Sequence, residues 1–79
     1  MPYITKKERE DLLNGAPIQT AGQLNYCITK MIKDYLSNKK FNYQVINDVV
    51  GALDGAKVEF QRRVVAPYED KKITENGDV

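Results

Sequence analysis

An all-α fold is predicted: an antiparallel helical hairpin with a short helix at either end, working as a homo-oligomer. Three features of the sequence predict it. Between Asn42 and Pro67, apolar residues recur at Ile46, Val50, Leu53, Phe60 and Val64, with Lys57 interrupting. These alternating steps of four and three mark one helical stripe. No period-2 run reads as a strand anywhere in the chain. The third feature is size, because 79 residues make a single domain spanning 1–79 with a thin core. Chains this short bury only about 60% of their unfolded surface. Cys27 is the sole cysteine and histidine is absent, so neither an internal disulfide nor a structural zinc site is available as a staple. Self-association is the support that this composition leaves.

Residues 1 to 4 (MPYI) form an extended lead-in, since Pro2 lacks an amide hydrogen. Thr5 and Glu8 stand at capping-box spacing. A short helix is predicted at about residues 6 to 13, stopping at Asn14-Gly15. Leu12 and Leu13, with Tyr3 and Ile4, are its means of docking. Two turns are not stable alone, so this helix is read as a strap.

Thr20 and Gln23 form a second capping-box pair ahead of a helix over about residues 21 to 38. Leu24, Ile28, Met31, Ile32, Tyr35 and Leu36 repeat along it at helical spacing, and Asn25, Thr29, Lys30, Lys33 and Asp34 make its polar side. Cys27 lies beside the apolar stripe and is read as a buried structural thiol, because no histidine exists to activate it. A short polar turn at Ser37 to Lys40 suits an antiparallel neighbour. Asn42 then caps a helix over about residues 43 to 66, roughly 36 Å long at the standard rise. Pro67 is expected to end that helix at Ala66 and to open a short C-terminal helix over about 67 to 74.

Gly51 and Gly55 lie inside the predicted long helix, where each costs about 1 kcal/mol relative to alanine. With Val45, Val49, Ala52 and Ala56 they form small-residue faces beside the larger stripe. Close approach of another backbone is the physical use of such a pattern, and a second copy of the same helix is the expected occupant. Two tolerated surface glycines are the alternative.

Composition also bounds function. Twelve basic and eleven acidic residues give a net charge of +1, against general nucleic-acid binding. No apolar run reaches the ~20 residues of a membrane span and no signal peptide opens the chain, so a soluble cytoplasmic protein is expected. Enzyme chemistry lacks its parts. The commonest general base near neutral pH is missing. Asp48, Asp54 and Glu59 are not spaced to share one helix face for a metal, and no phosphate loop or nucleophile elbow is present. No cofactor is expected.

Binding has more support. The string QRRVVAPYEDKK gathers Arg62, Arg63, Tyr68, Lys71 and Lys72. Arginine pairs bidentately with phosphate, and a tyrosine face stacks on planar groups. These five residues are the candidate anion site, with salt-bridge lacing to Glu59, Glu69 or Asp70 as the alternative.

The run from Leu24-Asn25-Tyr26 through Ile46-Asn47-Asp48-Val49-Val50-Gly51-Ala52-Leu53, and above all Arg62 to Ile73 with Glu75-Asn76-Gly77-Asp78-Val79, resembles a family of similarly short proteins of tailed phages and bacteria, known as a domain of unknown function. The resemblance implies no activity or site. An architectural analogy adds an expectation. Small phage proteins built on helical hairpins oligomerise and sequester nucleotide messengers of bacterial immunity. A non-enzymatic sponge for such a small anionic nucleotide, acting in the host cell, is therefore the first functional reading. An interaction module that blocks a host or phage enzyme through the long helix is the second.

Overall fold

The computed structural model describes residues 4–79, and its regular structure is helical, with no strand among the described residues. Pro2 and Tyr3, the expected lead-in and docking partner, lie outside the described residues. The chain divides into two units, Met1–Phe41 and Asn42–Val79.

In the first unit, α1 spans Lys6–Leu13 and α2 spans Ala21–Leu36. The capping box at Thr5 is present in both directions: the Glu8 amide donates to Thr5 Oγ1 at 3.1 Å, and the Thr5 amide donates to Glu8 Oε1 at 3.1 Å. The helix stops where expected. Gly15 takes φ +94°, a conformation that β-carbons disfavour, and its amide donates to the Leu12 carbonyl.

At α2 the cap is only half of the expected box. The Gln23 amide donates to Thr20 Oγ1 at 3.1 Å, but the Gln23 side-chain carbonyl accepts from the amide of Gln19, not of Thr20. The helix closes at Leu36 instead of Asn38, because Ser37 turns back on it. Its hydroxyl donates to the Asp34 carbonyl at 2.7 Å and its amide donates to the same oxygen at 3.3 Å. Helix α1 packs on α2. Gln23 Nε2 donates to Glu8 Oε2 at 3.0 Å, and Arg9 Nη1 donates to the Ile4 carbonyl at 3.4 Å. Ile4 is the buried hydrophobic residue of the described chain, at 8% exposure. Cys27, expected to be buried, is half-buried.

The second unit departs from expectation at Pro67. Helix α3 spans Tyr43–Phe60, a π-helical turn spans Gln61–Val65, and α4 spans Ala66–Asn76. Asn42 caps α3 as predicted, accepting from the Val45 amide at 3.0 Å. The break expected after Ala66 is absent. Phe60, Gln61, Val65 and Ala66 all keep right-handed helical dihedrals, so helical geometry runs without interruption from Tyr43 to Asn76, about 50 Å at the standard rise.

The π turn explains how. A proline inside an α-helix removes one hydrogen bond and drives its ring against the carbonyl four residues back. Here the Ala66 amide reaches the Gln61 carbonyl, five residues back, and a turn of that wider spacing is a known way for a helix to absorb a local disruption. Pro67 then occupies the opening turn of α4, where an amide hydrogen is dispensable. Gly77 closes α4 with φ +83°, its amide donating to the Ile73 carbonyl at 2.8 Å.

The extra residue in the turn has a second effect. It rotates everything downstream by about 100° relative to an unbroken α-helix. By this geometry Ile73, which an unbroken repeat would place opposite Ile46, comes to lie nearer the side of the apolar stripe.

Candidate functional site

Three surfaces bear on function, and the first is the cluster expected at the end of the long helix. Arg62 and Arg63 both pair with one carboxylate, Glu59. Arg62 Nη1 lies 3.3 Å from Oε1 and Arg63 Nε lies 2.5 Å from Oε2. Lys71 and Lys72 share Glu75, at 4.0 and 3.3 Å. The partners are therefore Glu59, as expected, and Glu75, while Glu69 and Asp70 form no ion pair among the described residues. The Lys72 ammonium also sits 5.5 Å from the centre of the Tyr68 ring, a cation–π contact. Every pair is an i,i+3 or i,i+4 contact within a helical stretch. The five candidates thus line successive turns of α4 and the π turn, and each cation already faces a carboxylate.

The second surface is the apolar stripe itself. Val50, Leu53, Phe60, Val64 and Tyr68 are all exposed, Phe60 at 59%. On the neighbouring face, Val45 and Val49 are half-buried and Ala52 and Ala56 exposed. A β-carbon placed on Gly51 or Gly55 would meet nothing within 4 Å.

A third surface was not anticipated. In the first unit, Arg9, Tyr26, Thr29, Lys30 and Lys33 line an open recess of about 330 Å³. Tyr26, Thr29, Lys30 and Lys33 share one face of α2 through their three- and four-residue spacing. Arg9 comes from α1, which the Glu8–Gln23 bond fixes against α2. Lys30 Nζ lies 2.6 Å from Asp34 Oδ1, and the hydrogen bond and charge of Asp34 raise the lysine above its ordinary pKa. Among the described residues, no carboxylate lies within ion-pair reach of Arg9 or Lys33. The α2 spacing was visible in the sequence as a polar helix side. Arg9 was not, because its place depends on how α1 docks.

Among the described residues, no group of three or more His, Cys, Asp or Glu is placed to hold a metal ion, and no helix is long and apolar enough to cross a membrane.

One comparison bears on kinship. The model of a family described as a domain of unknown function (DUF6899) matches residues 1–79. The chain belongs to that family. The match covers the short N-terminal helix as well as the stretch whose residues carried the resemblance. No curated protein matches the chain, and no solved structure matches it. The family thus comes with no assigned chemistry, and function rests on the surfaces described above.

Proposed function

We propose that the chain is a non-enzymatic binding protein that works as a homo-oligomer assembled on the helix running from Tyr43 to Asn76. One observation carries this reading: Ile4 is the buried hydrophobic residue of the described chain, while the long helix leaves Val50, Phe60 and Val64 each more than half exposed. Apolar area removed from water contributes roughly 25 cal/mol per Å². A chain that buries so little lacks the main term that stabilises a fold, and a second copy of the same amphipathic helix supplies it. The antiparallel pairing of α2 with α3, and the meeting of two copies along Val45, Val49, Gly51, Ala52, Gly55 and Ala56, belong to this proposal. The lack of histidine supports the non-enzymatic part. Sedimentation velocity over a wide concentration range tests the assembly. A dimer or larger species is expected, and a helical monomer at every concentration would overturn it.

A second reading concerns the ligand. The Lys72–Tyr68 contact puts a cation on an aromatic face within the candidate cluster, an arrangement suited to a planar anion. Sequestration of a nucleotide signal by Arg62, Arg63, Tyr68, Lys71 and Lys72, as a phage counter-defence device, is the form this reading takes. Native mass spectrometry with a pool of nucleotide messengers tests it. Binding that persists after both arginines are replaced by alanine removes these residues from the site. A co-purifying enzyme with no small-molecule mass would instead favour an inhibitor acting through the long helix.

A further inference from the structure

We infer that the recess between Arg9 and the α2 face of Tyr26, Thr29, Lys30 and Lys33 is a binding site for the phosphate group of a small phosphorylated metabolite. The charge balance differs from that of the cluster at the far end of the chain. There, Arg62 and Arg63 share Glu59 while Lys71 and Lys72 share Glu75, with Glu69 and Asp70 close by in sequence. The lining of the recess holds three cations and no carboxylate, and Lys30 is paired with Asp34. Among the described residues no carboxylate lies within ion-pair distance of Arg9 or Lys33, so the recess holds positive charge that an anion would balance.

The donors are varied and partly positioned. Arg9 uses one N–H on the Ile4 carbonyl at 3.4 Å, which ties the guanidinium to the chain and leaves further N–H groups of its planar fork for a phosphate. Thr29 brings a hydroxyl that donates or accepts, and Lys33 an ammonium with three donors. Tyr26 adds an aromatic face and a hydroxyl beside them, suited to the planar or sugar portion that carries the phosphate. A volume of about 330 Å³ accommodates a small metabolite and is too small for a folded partner. All five residues belong to the first unit, so the site does not depend on the assembly proposed above.

The test is an NMR titration of the full chain with inorganic phosphate, adenosine 5′-monophosphate and adenosine in parallel. Both phosphates are expected to shift the amides of Tyr26, Thr29, Lys30 and Lys33, with adenosine alone producing no shift there. Stronger binding of the monophosphate than of free phosphate would show that the carried group is also recognised; equal binding would restrict recognition to the phosphate. Lys33→Gln removes a charge-assisted contact and should weaken phosphate binding about tenfold. Arg9→Gln should act similarly, and circular dichroism verifies that both variants keep their helices. The inference is overturned if neither phosphate shifts these amides at millimolar concentration. It is equally overturned if the shifts fall only on residues 62 to 72, or if Lys33→Gln binds as tightly as the parent chain.

Discussion

Gln23 Nε2 donates to Glu8 Oε2 at 3.0 Å, and through this bond a side chain in the first turn of α1 is held by one in the first turn of α2. Glu8 also accepts from the Thr5 amide through its other oxygen, so one carboxylate both caps its own helix and docks it. The Gln23 bond, followed by the backbone bond of Thr5, holds Glu8 below its ordinary pKa of 4.5.

A pH dependence follows. A carboxylate whose pKa is depressed on folding stabilises the folded state above its unfolded pKa, and that stability is lost as pH falls through the folded value. Docking of α1 should therefore be intact at neutral pH and weaken as pH drops below about 4.5. Amide exchange across α1 as a function of pH checks this. Glu8→Gln, which keeps a capping side chain without a charge, should flatten the dependence.

Pro67→Ala restores an amide hydrogen and removes the pyrrolidine ring. The π turn at Gln61–Val65 should then relax to α-helical bonding, and thermal unfolding should move upward by less than the roughly 3 kcal/mol of an interior proline, because the opening-turn position already spares part of that cost. The same change turns Ile73 and Tyr68 by about 100° relative to the upstream stripe. If the oligomer uses both parts of that stripe, association should weaken while helicity rises. Circular dichroism and sedimentation on one sample separate the two effects.

Gly51 and Gly55 give a complementary pair of variants. Alanine at either position meets nothing within 4 Å among the described residues and should raise helix stability by up to about 1 kcal/mol. Gly55→Leu keeps the helical preference but adds bulk on the face assigned to a second copy. Loss of the oligomer with leucine, and not with alanine, is the expected result. An oligomer unaffected by leucine would move the interface elsewhere.

The ion pairs of Arg62 and Arg63 with Glu59 are exposed, the arginine side chains at 71% and 70%. Glu59→Gln should change stability by no more than about 1 kcal/mol, and less still at high salt. Urea denaturation at two ionic strengths measures this. A larger loss would mean that the cluster is buried in an assembly.

What the sequence by itself determined is local. Thr5, Thr20 and Asn42 each sit three residues from the amide they cap, and the apolar repeat on either side needs only 3.6-residue geometry to be legible. Helix starts, the stop at Gly15 and the all-helical class followed from those short-range rules. The proline after Ala66 misled because its ordinary effect is also local, and the sequence does not display the wider hydrogen-bond spacing that absorbs it. Tertiary structure decided what depends on residues far apart in the chain: the bond from Gln23 to Glu8, and with it the arrival of Arg9 beside Tyr26, Thr29, Lys30 and Lys33. Those side chains share no periodicity with Arg9. Only the docking of a two-turn helix, weak alone and fixed by a few contacts, makes them neighbours.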